Sequence, residues 1–169
     1  MDAQQPGTGT GTWSLFSGGG TFVNTTLYNT RVNGLSSNPN IFRWTVTRNG
    51  CTAFDEVTVY NNRVVANAGF QQRVCDNFAT LNGNQPAPAG ATGNWASVIG
   101  GTTITAPTLY NSGVTNLALG QNTFQWTISR TLNGVSCQNS SQVNIFNDKP
   151  SDALVEADKE VCSNSTQLS

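Results

Sequence analysis

"NTFQWTIS", Asn122–Ser129, and "NIFRWTVT", Asn40–Thr47, stand 82 residues apart and keep tryptophan in the same slot. In each octet large apolar residues alternate with polar ones. A β-strand sends successive side chains to opposite faces, so Phe42, Trp44 and Val46 share one face, as do Phe124, Trp126 and Ile128. Arg43, Thr45 and Thr47 take the other. One apolar and one polar face describe a strand half-buried in a sandwich. Burying each large ring stabilises by roughly 2–3 kcal/mol.

The likeness runs outward from the octets. Between Tyr28–Thr47 and Tyr110–Ser129 eight of 20 positions are identical: Tyr28/Tyr110, Asn29/Asn111, Val32/Val114, Leu35/Leu117, Asn40/Asn122, Phe42/Phe124, Trp44/Trp126 and Thr45/Thr127. Trp13 in "GTWSL" and Trp95 in "GNWAS" keep the spacing. Cys51 and Cys137 stand 86 apart, because "RTLNGVSC" holds four residues more than "RNGC", a difference assigned to the turn. Asn-Gly in each is a hairpin signal. The return strands are "DEVTVYN", with Val57 and Val59 inward, and "SQVNIFN", with Val143 and Ile145 inward. "GTWSL", "TFVNTTLYN" and "RVCDNFATL" read as further strands. About seven strands per copy make an Ig-like sandwich. The expected fold is therefore all-β: two tandem Ig-like antiparallel β-sandwich repeats, with Trp13, Phe42, Trp44, Trp95, Phe124 and Trp126 in the core.

Composition agrees. Apolar residues are 37% of the 169 and fall in short bursts between Gly, Asn, Ser and Pro clusters, the habit of short strands. "SDALVEADKE", Ser151–Glu160, alone has helical composition and reads as one turn or an extended linker. Charged residues are 10%, net charge is −1 and histidine is absent. Such a surface has no electrostatic basis for binding nucleic acid. No apolar run is long enough to span a membrane. "MDAQQPGTGTG" lacks the basic start and apolar stretch of a leader, and the chain is read as an internal piece of a longer protein.

The ordered set "ANAGFQQRVCDNFATLNGN", "GTWSL", the Trp octet with "NGC", and "DEVTV" resembles the Ig-like/PKD-like tandem repeats of giant secreted surface proteins in gliding, Bacteroidota-type bacteria. "AGFQQ" departs from the usual "AGPDQ", and "EADKEVC" is largely rewritten. The resemblance implies type-IX secretion, an extracellular or cell-surface location, and work as a stalk or filament segment of an adhesin involved in gliding motility. Two frames follow. Residues 1–81 and 82–169 form two units if the ends mark boundaries; the family's usual frame makes 64–149 the one complete repeat. Cys51, Cys75, Cys137 and Cys162 sit at repeated positions in a chain expected to be secreted, which points to disulfides. Cys51–Cys75 with Cys137–Cys162 is the favoured pairing, and Cys75–Cys137 is the alternative that the family frame implies. Closing a loop of ~25 residues contributes about 3 kcal/mol.

Catalysis needs an activated nucleophile, an acid–base pair or a metal. Asp55–Glu56 is the one adjacent acid pair in the first copy, and the second copy carries Ser140–Ser141 instead, so no enzyme is expected. Without histidine or a C-x-x-C pair, zinc is not expected. Asp148, Asp152, Glu156 and Asp158 are calcium candidates, since calcium takes clustered oxygen ligands. The matching joint "NNRVVANAGF" holds no acid, so a solvated linker without cofactor is the preferred reading. Phe16, Phe54, Tyr60, Phe70, Phe78 and Phe146 lie outside the matched core slots. They are candidates for glycan contact, the rival function being a carbohydrate- or partner-binding module. Expected partners are neighbouring repeats, further copies joined by strand addition, and a surface glycan.

Overall fold

The computed structural model describes every residue except Asn38, Gly100, Glu156, Lys159, Val161, Ser163, Thr166, Leu168 and Ser169. The described chain is all-β. Its strands are β1 (Thr10–Ser17), β2 (Thr21–Phe22), β3 (Val32–Asn33), β4 (Pro39–Arg48), β5 (Cys51–Tyr60), β6 (Gln72–Val74), β7 (Ala79–Thr80), β8 (Thr92–Ile99), β9 (Thr103–Ile104), β10 (Gly113–Thr115), β11 (Gly120–Leu132) and β12 (Val135–Asn147). Among the described residues of 151–160 there is no helix.

Two layered assemblies emerge. In the first, the sheet β1-β4-β5 packs against the ribbon β2-β3; in the second, the sheet β6-β12-β11-β8 faces β7-β10-β9. All pairings are antiparallel except β6 on β12. The octets are the central strands β4 and β11. Trp13 pairs with Trp44 across β1-β4, and Trp95 with Trp126 across β8-β11, with ring centroids 5.1 Å and 5.0 Å apart. All four tryptophans, Phe42 and Phe124 are buried.

The two assemblies repeat one another down to single hydrogen bonds. Trp13 Nε1 donates to the Tyr28 carbonyl and Trp95 Nε1 to that of Tyr110, each at 3.2 Å. Buried Asn40 takes the Ser36 N–H on its Oδ1, as Asn122 takes the Ala118 N–H. Asn61 Nδ2 donates to the Leu35 carbonyl and Asn147 Nδ2 to that of Leu117. A buried amide with satisfied donors and acceptor fixes a loop at little cost.

Both hairpins turn on Asn-Gly with positive φ at each residue, 48° and 82° at Asn49–Gly50 and 49° and 77° at Asn133–Gly134. That is the two-residue turn that matches strand twist. The turn is therefore the same length in both, contrary to the expectation that it holds the additional residues. Those residues lengthen the strands: Thr131 pairs with Ser136 and Leu132 with Val135, beyond the Arg130–Cys137 pair that corresponds to Arg48–Cys51.

The packing changes hands well before residue 81. The first core draws on Met1, Ala3 and residues up to Val59, whereas Val64, Ala68 and Leu81 belong to the second, around Trp95 and Trp126. "RVCDNFATL" supplies two short strands, β6 and β7, rather than one. Among the described residues five strands build the first assembly and seven the second, and β6 and β7 have no counterpart in the first.

Candidate functional site

Three features are candidates: an aromatic cluster on the outer face of the first sheet, a groove along its β5 edge, and the joint between the assemblies.

On the outer face Phe16 stands on a bulge of β1, Arg43 on β4, and Phe54 and Glu56 on β5. The Arg43 guanidinium lies 4.5 Å from the Phe16 ring centroid and 4.2 Å from that of Phe54, and its Nε and Nη2 donate to Glu56 Oε1 at 2.9 and 2.6 Å. Each cation–π contact at an exposed site contributes about 0.5–1 kcal/mol. Phe16 and Phe54 remain 56% and 63% exposed. The ring faces over Arg43 are occupied, so a stacking ligand would take the opposite faces. The corresponding positions in the second assembly are Val98, Gln125, Ser140 and Gln142, where Gln142 Nε2 donates to Gln125 Oε1 at 3.1 Å and Thr127 and Ser140 share a 2.8 Å bond. The aromatic cluster thus belongs to the first sheet alone. Phe146 instead packs on Arg73, 4.8 Å from guanidinium to centroid. Phe70, Phe78 and Tyr60 are exposed along the chain from the end of β5 to the start of β7.

A groove of about 830 Å³ runs along β5, lined by residues 2–8, Trp13, Trp44, Val46 and the β5 stretch Ala53–Val57, which brings in Asp55 as well as Phe54 and Glu56. Its second-assembly counterpart is filled. Val64 and Ala68 lie in the second core, and the Val65–Asn67 backbone grips Asn84: Asn84 Nδ2 donates to the Val65 carbonyl (2.9 Å), and Asn67 N donates to Asn84 Oδ1 (2.7 Å). The Asn84 carbonyl in turn accepts from Trp126 Nε1 at 3.1 Å. In the first assembly Trp44 Nε1 is buried with no partner. Val57, expected inward, does face the groove but stays 39% exposed, against 5% for Val143.

At the joint, β5 ends at Tyr60 and the second core begins at Val64. Asn62 is buried here; its Nδ2 donates to the carbonyls of Arg130 and Val135, at 3.1 and 2.6 Å, on the lengthened β11–β12 hairpin. Asn139 Oδ1 accepts from Ala66 N at 2.8 Å. Pairwise spacing of apolar residues gives no sign of these long-range bonds; the hairpin's additional residues and the doubled "NN" at Asn61–Asn62 are the only trace in the sequence.

All four cysteines are unpaired, so none of the expected disulfides is formed. Topology explains two of them. Val74 of β6 pairs with Asn147, ten residues along β12 from Cys137, which separates Cys75 from Cys137 by about 33 Å, far beyond disulfide reach. Cys51 opens β5 at its hairpin tip, nine residues from the joint, while Cys75 lies beyond the joint at the opposite end of the second sheet. Cys162 is exposed in the segment after β12. Of the calcium candidates, Asp148 is bonded to Arg73 at 2.7 Å, Asp152 and Asp158 are exposed, and Glu156 lies outside the described residues. Among the described residues no three His, Cys, Asp or Glu side chains gather as a metal site. Asp55 caps the Glu56 N–H at 2.9 Å, while Glu56 is held by Arg43. No described helix is long and apolar enough to cross a membrane.

No protein-family model matches the chain, and no curated protein sequence matches it. Among solved structures the chain is similar to a SusE-like surface-located polysaccharide-binding protein from the heparin utilisation locus of Bacteroides thetaiotaomicron. Identity is 11% and the TM-score 0.44, over 86% of this chain and 30% of the other. The chain thus spans under a third of that protein's length.

Proposed function

We propose that the chain is a non-catalytic spacer segment of a large extracellular surface protein, made of two copies of one sandwich joined stiffly end to end. In this reading the units are residues 1–60 and 62–149, and the work is mechanical: long antiparallel hairpins carry load and the joint holds direction. The carrying observation is Asn62, buried between two carbonyls of the neighbouring unit's hairpin. A buried amide bonded twice costs more than a flexible linker would to release. The surface location rests on the resemblance to secreted adhesin repeats. The mixed, weakly charged Asn/Thr-rich surface suits a soluble extended array. The test is the orientation of the two units in solution by residual dipolar couplings. One alignment tensor should fit both, and Asn62→Ala should split it in two with the fold of each unit kept. Two independent tensors in the unaltered chain would contradict a stiff spacer.

A second reading, glycan binding, is favoured by the Phe16–Arg43–Phe54 cluster, which the second unit lacks. Polysaccharide titration followed by NMR decides it. Binding that Phe54→Ala abolishes would establish this reading, and shifts spread over no common face would remove it.

A further inference from the structure

We infer, resting on the glycan-binding reading of the outer face, that the Phe16–Arg43–Phe54 cluster takes uncharged sugar units and that the ion pair inside it grips two neighbouring hydroxyls. Arg43 Nε and Nη2 both donate to Glu56 Oε1. Among the described residues nothing bonds Arg43 Nη1 or Glu56 Oε2. The pair is closed on one side and leaves a free donor beside a free acceptor. Its side chains are 30% and 33% exposed, so both groups can be reached from solvent. A donor and an acceptor held side by side fit a vicinal diol: one sugar oxygen accepts from Nη1 while its neighbour donates to Oε2.

Charge sets the class of sugar. In the register of β4 and β5 the Arg43–Glu56 row lies between Thr45–Phe54 and Ile41–Thr58, with Thr47–Thr52 beyond, and Ser14 of β1 stands next to Arg43. This part of the face holds one cation and one anion, already joined. An incoming carboxylate or sulfate would have to break a 2.6 Å charged bond and then lie against Glu56, so it gains nothing. A hydroxyl needs no such exchange. The two phenyl rings, each more than half exposed, stand on the strands either side of Arg43 and suit the apolar C–H faces of pyranose units. Consecutive units of a glycan chain then meet ring, ion pair and ring. The rings also hold the guanidinium in place beforehand, which lowers the ordering cost of binding.

The second assembly supplies two controls. Ser140 and Gln142, at the places of Phe54 and Glu56, are exposed even though the segment before β6 and β6 itself lie along β12, so covering that edge leaves the outer face open. There Gln142 and Gln125 bond each other and no ring stands beside them, so the second assembly should not bind.

The test is titration of cellohexaose, laminarihexaose, mannohexaose and hexagalacturonate into the full chain, followed by NMR of the Arg43 Nε–H and the phenylalanine rings. Expected is saturable binding of a neutral oligosaccharide that shifts these signals and changes by less than about twofold between low and high salt. Arg43→Lys keeps the charge but loses the planar fork, and should weaken binding about tenfold. Glu56→Gln frees the Arg43 charge and should raise affinity for hexagalacturonate about tenfold. Hexagalacturonate bound to the unaltered chain at this cluster, with steep salt dependence, would overturn the inference and leave the glycan reading standing. Neutral sugar bound with the cluster signals unmoved would also overturn it. No saturation by any of the four at millimolar concentration would remove both.

Discussion

Val57 and Val143 occupy the same place on matching strands, opposite Phe42 and Phe124, yet one is 39% exposed and the other 5%. Trp44 and Trp126 differ in the same sense: one indole N–H is orphaned and the other is bonded to Asn84. The sheets themselves are near copies. What separates them is a covering segment of some ten residues that adds little regular structure, only the three residues of β6. The comparison teaches that closing a small sandwich depends less on its long central strands than on the irregular stretch that seals its edge. That stretch acts twice, filling volume and holding a second loop at the correct height to satisfy a buried donor.

The comparison can be broken most forcefully at the glycines under the indoles. A Cβ on Gly93 would stand 2.2 Å from the Trp126 ring, and one on Gly11 would stand 2.0 Å from Trp44. Trp126 is enclosed and cannot retreat, so Gly93→Val should destabilise the second unit by about 3 kcal/mol or more. Trp44 borders the groove and can slide into it, so Gly11→Val should cost the first unit only about 1 kcal/mol. Denaturant unfolding followed by the two tryptophan pairs, each retained singly, reads both. Next in size is the valine pair. Val143→Ala should cost about 1.5–2 kcal/mol and Val57→Ala under about 0.5, since only the first vacates a sealed core. Smaller again is the indole pair: Trp126→Phe should lose about 1 kcal/mol more than Trp44→Phe, because only Trp126 gives up a made hydrogen bond. Smallest in stability is Asn62→Ala. It should change the angular freedom of the joint, seen in dipolar couplings, while leaving each unit's unfolding midpoint within about 0.5 kcal/mol of its starting value.

Much of the fold was legible because it is written in local pattern. Period-two alternation marked β4 and β11, Asn-Gly marked both turns, and the spacing of Trp13 and Trp95 from the octets marked β1 and β8. The rest depends on partners distant in the chain. Nothing local says that four additional residues lengthen strands rather than a turn, since the same Asn-Gly closes either hairpin. The division after residue 81 followed the repeat arithmetic, whereas Val64 and Ala68 pack with Trp126, some sixty residues later. The cysteine pairings assumed that repeated spacing means proximity, yet topology sends Cys75 and Cys137 to opposite ends of one sheet. Of the candidate glycan aromatics, Phe16 and Phe54 meet through Arg43, a residue that alternation identified only as outward-facing.

Strand-resolved amide hydrogen exchange addresses the contrast between the sealed and open copies most directly. The amides of β12, covered by β6 and the segment before it, should exchange at least ten times more slowly than their counterparts on β5. Equal protection of β5 and β12 in the free chain would contradict it, because two matching sheets can differ only if the cover matters.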